Sequence, residues 1–542
     1  MHALTIVVSL LLLLTLCSAV LRRFSIPYST AMVLVGAAIA FVPGLPAVEL
    51  PPELVLLVFL PPLLYSDAWY VTWHEFRKEL PGILSLSVLL VVVTMSSVAV
   101  VAHVLIPGMP WGVAFVLGAI LSPTDAIAAA PIAHRMGLPR RLVVLIEGEG
   151  LVNDAAAIVA YRFAVAAVVT GVFSSTDAIS SAGLSTVGGI AIGLVAGWLS
   201  AQAHRVTGDA RLETVITILT PFVAYIPAER MHLSGVLAVV AAGLYIGYRQ
   251  AQLFTAETRL QAIAVWDVIT FLLNGLIFVL IGLQLPRVLE GVASYGAPQL
   301  ALYAGLVCAA VVMTRMAWMY IGAGIERALR LADPLSLGAA TVVGWAGMRG
   351  AISLAAVLAI PTTLADGTPF PHRDLLALLV FAVILCTLVL QSLSLPAVIG
   401  MSGLCPQAHD HETARRTRLK VADAVVKSLQ GLTRLPLDAV RAVAGEYRED
   451  ARRQRSLVDE SPEAGAQQRH LDEAMTHALR VERETLMHMK QRGEINDETL
   501  HCVLRDTDLR EVRHVRRARA SSERHAAAGA LPAAQHEELH HD

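Results

Sequence analysis

Long apolar runs, separated by charged, proline and glycine positions, cover most of the chain. A membrane-spanning helix needs roughly 20 apolar residues. Cutting the sequence at its polar positions predicts thirteen such helices, which begin near residues 3, 29, 53, 82, 110, 141, 181, 211, 232, 259, 293, 334 and 373. The third is interrupted by Pro61 and Pro62, and the last ends near Ser402. The pattern predicts an all-α, polytopic membrane protein.

The pattern changes after Ser402, where Ala, Glu, Arg and Leu recur at helical spacing through about 412–455 and 466–520. We therefore predict a transmembrane domain over residues 1–403 and a soluble, helical, cytoplasmic tail over residues 404–542. Eleven of the eighteen histidines lie in this tail. A metal-binding or pH-sensing role for them is one hypothesis, and a solvated helical tail is the favoured interpretation.

Composition supports this division. The 542 residues are 55% apolar and only 16% charged, whereas soluble domains carry roughly a quarter charged residues. The first 405 residues contain 19 Lys/Arg and 20 Asp/Glu, and the last 137 contain 23 and 24. These values exclude an ordinary soluble enzyme, a disordered chain and a nucleic-acid-binding protein. The five scattered cysteines predict no disulfide framework and no metal site.

The arginines and the lysine in the loops predict the orientation. With the N-terminus outside, thirteen basic residues fall in inner loops and three in outer loops, as the positive-inside rule requires. The first apolar segment lacks a basic region before it, because Arg22 and Arg23 follow it. We therefore interpret it as a retained helix rather than a signal peptide. This orientation puts the tail in the cytoplasm, and we expect the protein to lie in the plasma (inner) membrane.

Ionisable residues inside a membrane are costly, and two groups of them predict a functional site. The first is Ser122-Pro123-Thr124-Asp125 in the fifth span. Proline breaks the helix and frees backbone carbonyls beside the oxygens of Thr124 and Asp125. Transporters bind ions at broken helices of this kind.

The second group is Glu147-Gly148-Glu149-Gly150-Leu151-Val152-Asn153-Asp154 in the sixth span. Asp154 lies near the predicted mid-membrane position, and Glu149 and Asn153 share a neighbouring helix face because they are four residues apart. We predict that Asp154 is the working group and that Glu149 supports it, whereas Glu147 lies near the inner interface.

Oxygen ligands of these types suit Na⁺, K⁺ or H⁺ rather than soft metals. Burial favours the protonated form of a carboxyl group, and a bound cation favours the ionised form. A proton and a cation therefore exclude each other from one carboxylate. If such a site opens alternately to the two sides, the result is cation/proton antiport.

Buried arginines need partners as well. We expect Arg349 and Arg315 to pair with Glu149 or another buried acid and to fix geometry without supplying a proton. Arg349 lies in the glycine-rich segment Gly344-Trp345-Ala346-Gly347-Met348-Arg349-Gly350 of the twelfth span. Arg162 is interpreted as reaching the outer interface, and Asp67 and Asp267 as interfacial.

These residues closely resemble those of the NhaP-type branch of the monovalent cation:proton antiporter family. The motifs that carry the resemblance lie in order at 59–64, 122–125, 147–154, 271–278 and 344–351. The resemblance implies inverted repeats, a homodimer, unwound helices that cross in spans 5 and 12, and Asp154 as the shared cation/proton carboxylate. It implies that Thr124, Asp125 and Asn153 complete the site and that Glu149 and Arg349 form an electrostatic frame. Many relatives have Ser where this chain has Gly150, which leaves cation selectivity open.

The function expected from the resemblance is Na⁺ or Li⁺ exchange for H⁺, without a cofactor, in pH and cation homeostasis. The alternatives are a K⁺/H⁺ antiporter of the same fold and, with less support, a proton-coupled organic-anion carrier. A voltage sensor is disfavoured because no span carries a regular Arg repeat, and an ATP-driven pump because no G-x-x-x-x-G-K-[ST] loop occurs. Asn153 before Asp154 leaves one titrating group of the two, and relatives with Asn there are associated with electroneutral exchange. We therefore expect one cation per proton.

Overall fold

The computed structural model describes residues 2–21, 27–42, 55–171, 175–292, 295–330, 333–364 and 367–404, with scattered positions of the tail. Residues Met1–Gln407 form one compact unit and Ala408–Asp542 a second. Most of the second unit, and with it the predicted tail helices, lies outside the described residues. Within the described residues the first unit contains helices and no strand, apart from one isolated bridge between Thr363 and Pro369.

The helices of the first unit follow one another with short connections. They are α1 (His2–Leu21), α2 (Tyr28–Ala40), α3 (Leu60–Tyr70), α4 (Trp73–Leu84), α5 (Leu90–Leu105), α6 (Trp111–Leu121), α7 (Ala126–Arg135), α8 (Arg140–Thr170), α9 (Ser175–Thr207), α10 (Ala210–Arg230), α11 (Gly235–Leu253), α12 (Ala256–Leu283), α13 (Leu285–Glu290), α14 (Ala297–Ala328), α15 (Leu337–Trp345), α16 (Ala351–Leu358), α17 (Arg373–Cys386) and α18 (Ser392–Met401). Three short π-helices join this series: π1 (Val55–Phe59), π2 (Ser85–Leu89) and π3 (Thr387–Gln391).

Eight continuous helical stretches among the described residues are long and apolar enough to cross a membrane. They confirm an all-α polytopic protein. The predicted total of thirteen spans remains a prediction, because the five others, at α1, α2, α3, α11 and the α15–α16 pair, are not among these eight stretches.

Two spans are interrupted, as the prolines and glycines predicted. The chain leaves helical geometry at 122–125 between α6 and α7, and at 346–350 between α15 and α16. The two unwound segments contact each other directly, since the backbone N–H of Asp125 donates to the carbonyl oxygen of Met348 at 2.8 Å. Backbone groups freed at one break are thus satisfied by the other, which is how non-helical backbone is tolerated inside a membrane protein.

Close helix packing brings these breaks together. Helix α6, which leads into the first break, packs on α5 and on α8. A Cβ atom at Gly118 of α6 would overlap the backbone of Met95 on α5. Glycine is therefore required there for the two helices to approach, and the buried apolar side chains of α6 and α8 surround the polar site.

Candidate functional site

Asp125 lies at the crossing of the two broken helices. It is the N-cap of α7, where its Oδ1 accepts a hydrogen bond from the backbone N–H of Ile127 at 2.9 Å. A Cβ atom at Gly350 would overlap the Asp125 carboxylate, so the backbone of the second break lies directly against this side chain. The crossing therefore fixes the Asp125 carboxylate from both sides.

A chain of hydrogen bonds leads from the first break into α8. The Arg315 guanidinium binds both carboxylate oxygens of Glu149, at 2.5 Å and 2.7 Å. The Thr124 hydroxyl donates to Glu149 Oε1 at 2.8 Å, and Asn153 Nδ2 donates to Thr124 Oγ1 at 2.6 Å. All four side chains are buried. The pairing expected between an arginine and Glu149 is thus made by Arg315.

The direction of this chain decides what each oxygen can do. Glu149 accepts, so the Thr124 hydroxyl must donate to it and can only accept from the Asn153 amide. Asn153 Nδ2 also donates to the Thr124 carbonyl oxygen at 3.2 Å. The opposite atom of the amide, Oδ1 of Asn153, is buried and has no hydrogen-bond partner among the described residues. The amide oxygen is therefore the acceptor of this chain that remains for a ligand.

Arg349 has different partners from those expected. It is only 1% exposed. Its Nε donates to the Leu121 carbonyl oxygen at 2.7 Å and its Nη1 to the Gly347 carbonyl oxygen at 2.6 Å. Its backbone N–H donates to the Thr387 hydroxyl at 3.1 Å. The predicted pairing with a buried acid is wrong for Arg349, because the unwound segments supply carbonyl oxygens at that position.

A cavity of about 760 Å³ opens beside these residues. Its wall includes Asp154, which is 7% exposed, together with Asp125 and Thr124. The structure therefore brings the proline break and the α8 carboxylate to one space. Gly150 also lines it, and a Cβ atom at Gly150 would lie 2.7 Å from the Ala126 Cβ. A serine at 150 would accordingly have to displace Ala126.

Two further acids line this cavity. Asp67 on α3 and Asp267 on α12, which were interpreted from the sequence as interfacial, are exposed residues that line the same cavity as Asp154. The signal that could have found Asp67 is its position in α3 after the Pro61-Pro62 pair, at a third interruption where π1 precedes α3. Asn274 of the motif at 271–278 lines the cavity as well.

The cavity reaches Glu147, His134 and Arg135, near the loop that joins α7 to α8. Glu147 Oε1 lies 2.7 Å from His134 Nε2, and these side chains are 25% and 52% exposed. Arg162, further along α8, pairs with Glu229 of α10 at 2.7 Å. Glu147 thus contacts a partly exposed histidine and Arg162 forms a partly exposed ion pair, unlike the buried Glu149.

The arrangement is suited to a monovalent cation or a proton. The carboxylates of Asp125 and Asp154 and the amide of Asn274 line the cavity, whereas Asn153 is buried behind its wall. Oxygen ligands of these types suit hard cations. No cluster of three or more His, Cys, Asp or Glu side chains in the part of the chain that the structure describes is arranged to hold a metal ion. A cation here would therefore bind few carboxylates together with amide or backbone oxygens.

Comparisons with known proteins agree with this arrangement. The family model described as "Sodium/hydrogen exchanger, transmembrane" matches residues 8–399. The uncharacterized Na⁺/H⁺ exchanger YjcE of Escherichia coli is 32% identical over 90% of this chain and 94% of its own length. The sodium, potassium, lithium and rubidium/H⁺ antiporter of Bacillus subtilis is 33% identical over 92% of this chain and 76% of its own length. The sodium proton antiporter MjNhaP1 of Methanocaldococcus jannaschii shares the fold, with a TM-score of 0.61 at 18% identity, over 74% of this chain and 99% of that one.

Proposed function

The chain belongs to the sodium/hydrogen exchanger family, and on that premise we propose that it exchanges Na⁺ or Li⁺ for H⁺ at Asp154 by alternating access. A member of this family is a cation/proton antiporter, hence a transporter and not an enzyme. The proposed ligands of the cation are Asp154, Asp125 and oxygens of Thr124 and Asn153. Glu149, Arg315 and Arg349 form the frame that positions them.

The observation that carries the proposal is the position of Asp154. Its carboxylate lies in the cavity wall at 7% exposure, on the same helix as the buried Glu149. Glu149 is neutralised by Arg315 at 2.5–2.7 Å, whereas Asp154 lines the cavity. A proton or a cation entering the cavity therefore meets Asp154, and the two compete for one carboxylate.

In this mechanism Thr124 either offers its backbone carbonyl oxygen to the cation or holds its neighbours in position. Its hydroxyl hydrogen is already donated to Glu149. The Asn153 Oδ1 atom, which is buried and has no hydrogen-bond partner among the described residues, would supply a neutral oxygen from the residue next to Asp154 in the chain. The helix that begins after Asp125 presents the positive end of its dipole to that carboxylate and supports its charged form. Asp125 thus acts as a fixed charge and Asp154 as the group that changes its proton.

The lining of the cavity supports a cation as the cargo. Five carboxylates, those of Asp67, Asp125, Glu147, Asp154 and Asp267, line it with a single arginine, Arg135. An organic anion would be repelled by this lining, which speaks against the proton-coupled anion carrier. Potassium remains a second candidate because the Bacillus subtilis relative is described as acting on potassium as well as sodium, lithium and rubidium.

The direction of access follows from the predicted orientation. The cavity reaches the loop between α7 and α8, where Arg135, Arg140 and Arg141 lie. The positive-inside rule places that loop in the cytoplasm. We accordingly propose that this conformation is open to the inside, that the protein is a homodimer of the plasma membrane, and that residues 404–542 form a cytoplasmic tail that exchange does not require. Truncation after Gln407 is expected to leave exchange measurable.

Reconstituted proteoliposomes containing a pH-sensitive dye test the proposal. Wild-type protein is expected to move protons when Na⁺, Li⁺ or K⁺ is added, and the three responses rank the cations. Asp154→Asn is expected to reduce this movement to below about a tenth, since an amide cannot carry the proton. Arg162→Gln, on the same helix but outside the cavity, serves as the matched control. Exchange above that level in a correctly inserted Asp154→Asn protein removes Asp154 from the mechanism.

The stoichiometry is tested in the same vesicles. We propose one monovalent cation for one proton, because Asn153 cannot titrate beside Asp154. Clamping the membrane potential at several values with valinomycin and K⁺ is then expected to leave the Na⁺-driven equilibrium unchanged. A clear dependence on voltage points instead to a second titrating acid, for which Asp67 and Asp125 are the candidates in the cavity.

A further inference from the structure

Two thiols from different helices meet in the transmembrane unit. The Cys308 thiol on α14 donates to Sγ of Cys386, the last residue of α17, at 3.1 Å. Both side chains are half-buried, and both cysteines are free thiols. A disulfide bond is about 2.05 Å long, so the two sulfur atoms need to approach by only about 1 Å to form one.

The surroundings of these thiols link them to the site. Cys308 lies seven residues before Arg315 on α14, which is two helical turns. Cys386 immediately precedes Thr387, whose hydroxyl accepts from the Arg349 backbone at 3.1 Å. A bond between the two sulfurs would therefore tie α14, which contains Arg315, to the end of α17. That end lies next to Thr387, whose hydroxyl binds the Arg349 backbone.

We propose that Cys308 and Cys386 form a redox-sensitive pair, which a lipid-soluble quinone oxidises to a disulfide that slows transport. The effect on transport rests on the proposed antiport function, whereas formation of the disulfide does not. Both thiols lie within apolar helices, so a membrane-dissolved oxidant is the class that reaches them.

The reaction balances as a two-electron oxidation. Two S–H bonds break and one S–S bond forms, and the two electrons and two protons reduce the quinone to its hydroquinone. A dithiol reductant reverses the step by thiol–disulfide exchange, in which a thiolate attacks one sulfur of the disulfide. The cycle needs no other reactant.

The disulfide restrains the movement of α14 relative to α17. Arg315 also donates to the carbonyl oxygens of Gly344 and Val343 at 3.1 Å and 3.0 Å, so a shift of α14 moves the second break as well as Glu149. Displacements of about 1 Å in a positioned site can lower rates by up to two orders of magnitude. We expect oxidation to slow exchange by about tenfold, within that range.

The test treats full-length protein in proteoliposomes with a fully ring-substituted benzoquinone, which cannot add thiols to its ring. Mass spectrometry then looks for a linked pair of peptides containing Cys308 and Cys386. Cys308→Ser and Cys386→Ser each remove one partner, and Cys17→Ser on α1 is the matched control that leaves the pair intact. Exchange is measured before oxidation, after oxidation and after dithiothreitol.

The expected result is a linked peptide pair in the wild type and in Cys17→Ser, with slower exchange that dithiothreitol restores. Neither serine variant of the pair is expected to show the link or the slowing. Absence of the linked peptides in the wild type overturns the proposed pair, and a link that leaves exchange unchanged overturns the switch. Failure of untreated protein to exchange any cation contradicts the antiport function instead, and leaves the peptide measurement valid.

Discussion

The two interrupted helices carry opposite charges at their breaks. The break at 122–125 ends in Asp125, whose carboxylate lines the cavity, whereas the break at 346–350 contains Arg349, whose side chain is 1% exposed. Both breaks free backbone carbonyl groups. At the second, Arg349 donates to the Gly347 and Leu121 carbonyl oxygens, so one guanidinium closes the open ends of both helices.

The difference indicates two separate roles. The break at 122–125 presents a charged side chain to a ligand, and the break at 346–350 stabilises the backbone of both. Arg315 connects the two breaks, because it binds the end of α15, next to the second break, through the Gly344 carbonyl and reaches the first break through Glu149 and Thr124. If this division of labour is right, substitutions on the arginine side reduce stability first, and substitutions on the acid side reduce exchange first.

The largest loss of stability is expected for Arg315→Gln. It leaves the Glu149 carboxylate buried without its partner, and removing one member of a buried ion pair typically costs about 3–5 kcal/mol. Thermal unfolding in detergent measures the loss. The exposed pair of Arg162 and Glu229 provides the control, since Arg162→Gln is expected to cost less than about 1 kcal/mol. The double variant Glu149→Gln/Arg315→Gln is expected to regain part of the lost stability, and failure to do so would show that the ion pair is not the cause.

Arg349→Ala is expected to cause the second-largest loss of stability, about 3 kcal/mol, because two buried carbonyl groups lose their donor. Expression, thermal stability and exchange are expected to fall together. Arg349→Lys keeps the charge but offers a single ammonium group in place of the forked donor, so it separates charge from geometry. A stable, well-expressed Arg349→Ala protein without exchange would contradict the comparison and give Arg349 a direct part in transport.

Gly350→Ala tests the contact between the two breaks. The added Cβ atom would overlap the Asp125 carboxylate, and overpacking of this kind typically costs about 1–3 kcal/mol. Exchange is expected to fall more than stability does, because Asp125 is the group displaced. Gly305→Ala on α14 is the matched control, since no atom lies within 4 Å of its added Cβ. Equal exchange in the two variants would show that the position of Asp125 is not critical.

The smallest effect is expected for Ser353→Ala. The Ser353 hydroxyl donates to the Ile120 carbonyl oxygen at 2.7 Å, which joins α16 to α6 near the crossing. A neutral hydrogen bond of this type contributes about 1 kcal/mol, and exchange is expected to persist. Loss of all exchange, measured with the same proteoliposomes, would mean that Ser353 belongs to the cavity's chemistry and not to the scaffold around it.

Sequence reasoning located the breaks because their causes are local. Pro123 and the glycines around Arg349 act on their own backbone, so their effect is visible without any knowledge of neighbours. The sequence offered Glu149 as a candidate partner of Arg315 and Arg349 but did not say which arginine binds it, because Glu149 and Arg315 are 166 residues apart in the chain and composition does not say which helix faces which.

The π-helices were also beyond the sequence pattern. Apolar periodicity through 82–105 predicts one continuous span, whereas the structure inserts π2 (Ser85–Leu89) within it. The extra residue per turn turns Ser87 toward α8, where its hydroxyl donates to the Glu149 carbonyl oxygen at 3.1 Å. The hydrophobic pattern of this segment contains no signal for the insertion, because the partner of Ser87 lies on another helix.

The burial of the Glu149–Arg315 pair has a consequence for work in variable salt. Dissolved ions screen charges that they can approach, with a Debye length of about 8 Å at physiological ionic strength. Arg140–Glu75 and Arg141–Glu79, which are partly exposed, weaken as salt rises, but Glu149 and Arg315 are 2% and 3% exposed and remain out of reach of the surrounding electrolyte. A protein whose cargo is itself the dissolved salt thereby keeps the geometry of its site independent of the concentration it acts on.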